Sequence, residues 1–228
     1  MTTNVSLKLG FFDRFNFAAE FYNKKTTDML MEVPISAVGG YSMRWSNIGA
    51  MVNRGVELSL DADVLRIRNF RWNIFGNVSY NKNKITELYD GRDEYDMGET
   101  NLFLKVGHDS REFYLNRFAG VNPANGDALW YDKNGKLTNE IKEEDKVLTG
   151  KSADAPWQGG FGTTLSWKGI SLSARFSWVS GRYMMNNDRF FSESNSSAYA
   201  SYNHSSKMLY DRWRKPGDIA SIPRYDIP

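Results

Sequence analysis

The sequence predicts an all-β fold in which antiparallel strands form part of a large transmembrane outer-membrane β-barrel. Two segments, 56–64 and 170–178, alternate apolar residues with polar or charged ones. Because successive side chains of a strand point to opposite faces, each segment has one apolar and one polar face. The apolar side runs for about nine to eleven residues, which is enough for a tilted strand to cross the hydrocarbon core of a bilayer.

The connections between the strands are the second observation, because short and long ones alternate. The short connections are at 12–14, 66–69 and 168–169, and the long ones, predicted to be extracellular loops, are at 32–50, 87–158 and 181–228. Outer-membrane barrels have short periplasmic turns and long extracellular loops. The alternation therefore predicts which end of each strand faces the cell exterior.

The first two predicted strands lie near 4–10 and 14–30 and are joined by the tight connection at 12–14. Three aliphatic residues alternate with polar residues in the first strand. In the second, three phenylalanines and an alanine share one side, opposite a mostly polar side. Both strands therefore have the two faces that a barrel wall requires.

The third and fourth predicted strands lie near 52–65 and 70–86. The third contains the first alternating segment and places Glu57, Asp61 and Asp63 on its polar face. One side of the fourth strand begins with Trp72, ends with Tyr80 and is apolar between them. Asparagine and serine predominate on the other side. We predict that the three carboxylates face a water-filled lumen, since barrel interiors are polar.

The fifth and sixth predicted strands, near 159–167 and 170–180, are separated only by Lys168 and Gly169. The sixth contains the second alternating segment and has Arg175 on its polar face. Aromatic residues occur near both predicted ends of the strands, where interfacial anchoring places them. The predicted periplasmic group comprises Phe15, Phe70, Trp72 and Trp167, and the outer group comprises Tyr80, Trp178 and Tyr183.

The composition excludes several classes of protein. The 228 residues are 41% hydrophobic and 25% charged, which is not the composition of a disordered chain. There is no cysteine, so disulfides, thiolate metal sites and cysteine nucleophiles are excluded. The formal net charge is only +2 and the charges are mixed, so the sequence does not predict a nucleic-acid partner. The sequence contains no run of 18 apolar residues, so it does not predict a transmembrane helix.

One segment carries a resemblance to a known family. The run NIGAMVNRGVELSL at 47–60 resembles the barrel signature of the SusC/RagA family of TonB-linked outer-membrane transporters. Four further segments resemble pieces of the family and follow its order, at 77–88, 118–135, 156–177 and 212–224. Together the five segments cover most of the chain.

The resemblance implies a barrel of about 22 strands with a plugged lumen. We expect the chain to be a fragment of it, with about six strands from the C-terminal half. The family function implied is TonB-dependent import of oligosaccharides or other large nutrients, such as peptides, across the outer membrane of a Gram-negative bacterium. The implied partners are a SusD-like surface lipoprotein, outer-membrane lipid, and the TonB complex through a plug region. No cofactor is implied.

The predicted contacts to cargo or partner are aromatic residues of the long loops. Their aromatic faces can stack on sugar rings or pack on peptides and proteins. The alternative is that these residues only pack the loops against one another. This set comprises Tyr41, Trp45, Trp130, Tyr131, Trp157 and Tyr202. The predicted lumen-facing set comprises Glu57, Asp61, Asp63 and Arg175.

Several alternatives stay open at the level of sequence. A soluble carbohydrate-binding β-sandwich would also show alternation, and a passive porin differs from the importer only through the family segments. The oxygen-rich run at 122–127 is compatible with a calcium loop, but Asn-Pro and Asn-Gly favour turns, so no metal site is predicted. His108 and His204 lie in the predicted loops, and we predict no catalytic site.

Overall fold

A computed structural model of the chain describes residues 1–34, 43–47, 49–96, 103–196 and 201–225. The chain divides into two compact units, of which the first comprises residues 1–113 and 150–183, and the second 114–149 and 184–228. The strands of the first half are β1 (Thr2–Phe11), β2 (Phe15–Thr26), β3 (Leu30–Pro34), β4 (Met43–Asn47), β5 (Ala50–Ile67), β6 (Phe70–Glu87), β7 (Glu94–Asp96), β8 (Phe103–Lys105) and β9 (Glu112–Leu115).

The remaining elements include the two strands that complete the main sheet. They are β10 (Arg117–Val121), β11 (Ala128–Tyr131), β12 (Leu137–Thr138), β13 (Val147–Ser152), β14 (Trp157–Trp167) and β15 (Ile170–Ser180), followed by helices α1 (Asn187–Ser192) and α2 (Ser206–Tyr210). Short 3₁₀ turns lie at Tyr89–Gly91 and Glu143–Asp145. Among the described residues, no helix is long and apolar enough to cross a membrane.

The first unit is built on a six-stranded antiparallel sheet with the order β1-β2-β5-β6-β14-β15. Each strand of the sheet pairs with the next of these six strands along the chain. Short turns join β1 to β2, β5 to β6 and β14 to β15, and long connections join β2 to β5 and β6 to β14. This arrangement confirms the prediction of an antiparallel all-β fold. Long strands joined by short turns at one end and long loops at the other are the expected arrangement for part of an outer-membrane barrel.

The register places apolar residues on one face of this sheet. Leu60 of β5 is opposite Phe17 of β2 and Gly76 of β6, and Gly76 is opposite Phe161 of β14. We call the face that carries these residues the apolar face, and the opposite one the polar face. Because the period of a strand is two, the same separation holds along the paired strands.

The apolar face is largely uncovered. Ile170 and Leu172 of β15 are 70% and 68% exposed, and Phe161 of β14 is 56% exposed. A soluble β-sandwich buries its apolar face against a second sheet, which is the opposite of what these side chains show. The exposed face is instead suited to lipid, and the sandwich alternative is not supported.

A β-bulge changes the alternation near the end of β5. The register shifts between Asp63 and Leu65, so that Leu65 is opposite Trp72. The alternating segment had placed Val64 in line with the apolar residues that precede it. A bulge inserts one residue without a partner and changes the phase beyond it, so the apolar side continues at Leu65 beyond the bulge, and the register gives Val64 no partner.

The predicted boundaries differ from the observed ones at several long loops. The strand predicted near 14–30 ends at Thr26, and the predicted loop 32–50 overlaps the antiparallel pair β3–β4. The predicted loop 87–158 contains the short strands from β7 to β13. Trp157, at the end of that predicted loop, is the first residue of β14.

The second unit contains a three-stranded sheet with the order β10-β11-β12. Phe118 is opposite Trp130, and the register shifts before Gly120, which has a φ of 133°. Helix α1 begins after Asn186, whose side chain accepts a hydrogen bond of 3.1 Å from the backbone of Arg189. Side-chain acceptors at this position are common because the first N–H groups of a helix lack partners.

Candidate functional site

The polar face of the six-stranded sheet is the candidate functional site. Asp61 and Arg175, both predicted to face the lumen, share one row across the sheet. Glu57 lies four residues before Asp61 on the same face of β5. The row of Asp61 also contains Asn16, Phe75 and Gly162. The sheet therefore brings Glu57, Asp61 and Arg175 together on one surface.

Two carboxylates are directly opposite each other on this face. Glu20 of β2 pairs in register with Glu57 of β5. They line a shallow depression of about 260 Å³ together with Ser79 and Gln158. Like charges at directly opposite positions disfavour a sheet, so this position has an electrostatic cost that a bound hydroxyl, amine or cation would reduce.

Asp63 lies on the same face but its carboxylate is already bound within the sheet. The residue is 4% exposed. Arg71 donates from Nε to Oδ1 at 2.8 Å and from its terminal nitrogen to Oδ2 at 2.8 Å, and Asn73 donates a further hydrogen bond of 3.2 Å. Such a bidentate pair fixes both side chains. Asp63 is therefore suited to holding the β5–β6 turn rather than to contacting cargo.

Arg175 is held over an aromatic ring of the same face. Its guanidinium carbon lies 5.4 Å from the centroid of the Phe75 ring, which is within the range of a cation–π contact. Gly162, between the two residues in the register, has no side chain to separate them. A methyl group there would collide with Phe75. The glycine thus makes the contact possible.

An asparagine network joins the polar face to the loop above it. Asn81 and Asn83 of β6 both donate to Asn53 Oδ1 of β5, at 3.3 and 3.1 Å. Asn83 Oδ1 accepts a hydrogen bond of 2.9 Å from the backbone of Ser110. Asn83 is 7% exposed, and a buried amide with its donors and acceptor satisfied stabilises the structure around it. The network therefore holds the loop end of β6 in position.

The same part of the first unit contains the histidine at position 108. His108 Nδ1 lies 2.9 Å from Glu112 Oε2, and the other oxygen of Glu112 accepts from the backbone of Gly150 at 2.6 Å. Asp109 accepts from the hydroxyl of Ser152 at 2.9 Å. These contacts tie the segment after β8 to β13 and do not form the arrangement of a nucleophile and a base.

In the second unit, the predicted loop aromatics Trp130 and Tyr131 lie on β11. The Trp130 ring contacts Phe118 edge to face at a centroid distance of 5.2 Å. The guanidinium of Arg117 lies 5.4 Å from the Tyr131 centroid. Trp130 is half-buried, whereas Tyr131 is exposed. Tyr131 is therefore the better placed of the two to contact another molecule.

The turn after β11 is organised by an aspartate. Asp132 Oδ1 accepts hydrogen bonds of 2.8 Å from the backbone N–H groups of both Asn134 and Lys136. The bond from Lys136, followed by that from Asn134, holds the pKa of Asp132 below its usual range. Gly135 has a φ of 82°, a conformation that glycine adopts without steric cost. These features orient the strand that carries Tyr131.

The run at 122–127, considered above for calcium, is a packed turn. Asn122 and Asn125 use their side-chain oxygens to accept backbone N–H groups two residues on. Asp127 forms an ion pair of 2.9 Å with Arg224. Gly126 lies against the ring of Trp213, and a methyl group there would collide with it. Within the described ranges, no group of three or more histidines and carboxylates is placed to hold a metal ion.

The other predicted loop aromatics are distributed over different elements. Trp45 lies on β4 and is 61% exposed, and Tyr202 of the second unit lies 5.5 Å from the Phe191 ring. Trp157 is on the apolar face, with its ring 4.7 Å from that of Tyr80. That position suits a membrane interface better than a cargo site. Tyr41 lies outside the described residues.

Sequence reasoning did not select Glu20 or Phe75 as site residues. Glu20 belongs to the polar side of its strand, but its pairing with Glu57 depends on the β2–β5 register. A long connection separates those strands, so the sequence does not specify which residues pair. Phe75 is an aromatic residue on a polar face, and this departure from the alternation was a usable signal.

A comparison with protein families identifies one matching model over most of the chain. The model is described as "TonB dependent receptor-like, beta-barrel", and it matches residues 1–215. TonB-dependent receptor P26 of Formosa agariphila is 29% identical over 98% of this chain and 24% of its own length. TonB-dependent receptor SusC of Bacteroides thetaiotaomicron is 29% identical over 67% of this chain and 16% of its own length.

Solved structures are similar over nearly the whole chain. A chain of the RagAB peptide transporter superposes with a TM-score of 0.89 at 30% identity, covering 99% of this chain and 26% of its own. The RagAB peptide importer in the open-open state gives a TM-score of 0.90, again at 30% identity, over 99% of this chain and 25% of its own. The chain thus spans about a quarter or less of the curated relatives and solved chains that it matches.

Proposed function

The chain belongs to the TonB-dependent receptor-like β-barrel family, within which it fits the SusC/RagA group, and from this we propose that it forms part of the wall and outer loops of a nutrient importer. The importer would lie in the outer membrane of a Gram-negative bacterium. The relatives are receptors and transporters rather than enzymes, so we assign the chain a role in passage of cargo rather than in catalysis.

The observation that carries this proposal is the two-faced sheet. Its apolar face is exposed from β1 to β15, as Leu7, Phe161 and Leu172 illustrate. Its polar face carries Glu57 and Arg175. A wall between lipid and water requires this separation of faces, and barrel strands alternate for that reason. A soluble protein would gain nothing from leaving such a surface uncovered.

We propose oligosaccharides or peptides as the cargo. The opposed Glu20 and Glu57 can accept hydrogen bonds from sugar hydroxyls or peptide amines, and Arg175 can donate to carbonyl or carboxylate oxygens. The description of RagAB as a peptide importer supports peptides, whereas oligosaccharides rest on the family resemblance of the sequence. Many modest contacts on a hydrated wall would let the cargo bind and leave again.

The proposed partners follow from the same relatives. A SusD-like lipoprotein would cover the outer loops, and the TonB complex would supply energy through a plug region. Tyr131 and Trp45 support the first contact because both are exposed aromatic residues on short loop strands. Exposed aromatics are enriched where proteins bind each other.

The proposal is tested by uptake in cells. A deletion strain complemented with the complete gene should take up labelled oligosaccharides or peptides, and a protonophore should abolish that uptake. The double variant E20Q/E57Q should lower uptake by about three- to tenfold, as expected when hydrogen bonds to one cargo are weakened by about 1 kcal/mol. A matched control is S171A/S173A, which alters the polar face of β15 away from the carboxylates.

Two outcomes would contradict the proposal. Uptake that continues unchanged in the presence of the protonophore would indicate a passive porin. Uptake that is identical with and without the complete gene would remove the transport assignment altogether. Unchanged uptake in E20Q/E57Q alone would reject only the assigned role of the two carboxylates.

A further inference from the structure

Four exposed cations lie on the apolar side of the sheet, at the end where the strands enter the long loops. They are Lys25 of β2, Arg54 of β5, and Lys82 and Lys84 of β6. We call them the basic rows. Their side chains share the face that carries Leu60 and Phe161, since they have the same parity in the register as the apolar residues. They therefore extend the lipid-facing surface rather than the lumen surface.

The register of the basic rows places like charges side by side. Arg54 is directly opposite Lys82. In the next row, Val52 lies between Lys25 and Lys84. Residues directly opposite have Cβ atoms about 5 Å apart and diagonal neighbours are about 7 to 8 Å apart, so each cation is close to at least one other. Like charges in such positions are unfavourable unless an anion lies between them.

No carboxylate forms an ion pair with these cations in the part of the chain that the structure describes, although Glu87 is opposite Ala50, one row beyond Val52 and Lys84. The two rows contain no aspartate or glutamate on this face. Arg54 donates a hydrogen bond of 3.2 Å from Nε to the neutral side chain of Asn23. None of the ion pairs among the described residues includes any of the four.

The position of the rows indicates where the missing anion would lie. The row below Arg54 and Lys82 contains Phe21, Val56 and Tyr80, together with Trp157. Tyrosine and tryptophan gather at the boundary between hydrocarbon and headgroups. One row is about 7 Å along the strand, or two residues of rise. The cations therefore lie just beyond that boundary, at the level of lipid headgroups.

We propose that the basic rows bind the phosphate groups of anionic lipids in the outer leaflet of the membrane. The inference rests on the proposed function, because it requires this face to be in a bilayer. Charge complementarity supports it, as does the continuity of the rows with the apolar face. A cluster of four cations beside membrane-embedded surface attracts anionic headgroups, and each cation adds to the affinity.

The polar face provides the matched control. Lys24 is adjacent to Lys25 in sequence, and Lys8 lies on β1, but both point to the opposite face because Lys24 is opposite Asn53 and Lys8 opposite Ala18. Removing these two lysines changes the charge of the wall without touching the lipid-facing rows. Their removal should leave lipid binding unchanged.

The experiment uses the complete polypeptide in detergent, with monophosphoryl lipid A as the probe. Native mass spectrometry counts the bound lipid in the unaltered protein, in K25Q/R54Q/K82Q/K84Q and in the control K8Q/K24Q. Loss of a cation near a membrane surface is expected to weaken binding about fivefold, so the quadruple variant should bind at least about a hundredfold less lipid. Lipid A without its phosphate should bind weakly to all three proteins.

Two further variants and a folding assay separate loss of binding from misfolding. R54K keeps the charge and should retain the lipid, whereas K82Q/K84Q should lose an intermediate amount. Heat-modifiable mobility reports whether each barrel is folded. Equal lipid retention by the folded quadruple variant and the unaltered protein would overturn the proposal. Equal binding of phosphorylated and phosphate-free lipid A would also overturn it. The same holds if the quadruple variant loses binding to an acidic partner protein while its lipid retention is unchanged.

Cargo uptake by the same variants separates this proposal from the proposed function. If uptake is intact and the basic rows bind no lipid, only the lipid proposal fails. If the unaltered complete protein supports no energised uptake but retains lipid A through these cations, the transport proposal fails and the lipid site stands.

Discussion

The aromatic ring of Tyr22 lies across Gly55 of the neighbouring strand, and its hydroxyl donates a hydrogen bond of 2.9 Å to Asn81 of the strand beyond. One side chain on the polar face thus spans three strands. The contact depends on the absence of a side chain at position 55. It also connects β2 to the asparagine network that holds the loop end of β6.

We predict that Gly55→Ala destabilises the folded barrel by about 1 to 3 kcal/mol, the range for an overpacked position. A methyl group at Gly55 would collide with the Tyr22 ring and with the backbone carbonyl of Tyr80. Denaturant unfolding of the complete protein in detergent measures the effect. The control is Gly10→Ala, where the added methyl group meets Asn16 at an ordinary 3.6 Å. Equal destabilisation by both substitutions would show that the Tyr22 contact is not the cause.

A second prediction concerns the two faces of the sheet. Leu60→Arg should oppose insertion of the barrel by about 2 to 4 kcal/mol, because it places a cation on the lipid side near the middle of the apolar band. Ser59→Arg, one residue earlier, places the same charge on the polar face and should be tolerated. The folded fraction in isolated outer membranes, measured by heat-modifiable mobility, distinguishes the two. Comparable folding of both variants would contradict the assignment of faces.

Sequence reasoning succeeded where the period of the strand decided the result, and failed where pairing decided it. The alternation in 56–64 placed Leu58 and Leu60 on one face and Glu57 on the other, as observed. It could not locate the bulge after Asp63, which depends on how β5 meets β6. It also could not pair Glu20 with Glu57, because a long connection leaves the register of β2 and β5 open.

The loop structure was beyond the reach of sequence patterns for a related reason. The short strands between β6 and β14 contain too few residues for a periodic signal, and one of their pairings, β9 with β13, joins segments far apart in sequence. The Asn-Gly signals near Gly126 and Gly135 did indicate turns, and both glycines have positive φ values. The packing of Trp213 on Gly126 had no sequence signal, since it joins segments far apart along the chain.

A third prediction concerns acid. The hydrogen bonds from Lys136 and Asn134 lower the pKa of Asp132 in the folded turn, so the ionised carboxylate contributes stability above the ordinary aspartate pKa of about 3.9. That contribution should be lost as the pH falls from about 4 through the lower folded pKa. The hydrogen-exchange protection of residues 130–138 in the complete protein, corrected for the intrinsic exchange rate at each pH, should therefore fall with acid more than that of unaffected loops. Asp132→Ala should remove this pH dependence of protection, whereas Glu140→Gln, at an exposed position nearby, should preserve it. If the pH dependence persists in Asp132→Ala, another group is responsible for it.

The last prediction separates recognition from packing on the hairpin of β11 and β12. Tyr131 and Leu137 are opposite each other in the register, and both are exposed, at 36% and 60%. If the hairpin contacts the proposed lipoprotein or the cargo, Tyr131→Ala should weaken binding of one of them about tenfold, since exposed aromatics dominate the energy of many interfaces. Leu137→Ala removes a comparable exposed side chain from the partner strand and should change affinity by less than about twofold. Affinity for the copurified lipoprotein and for labelled cargo, measured separately by titration, reports which molecule is contacted. If Tyr131→Ala leaves the affinity for the lipoprotein and for the cargo unchanged, the hairpin is not a contact site. If Tyr131→Ala and Leu137→Ala weaken binding equally, binding requires the fold of the hairpin rather than the tyrosine ring.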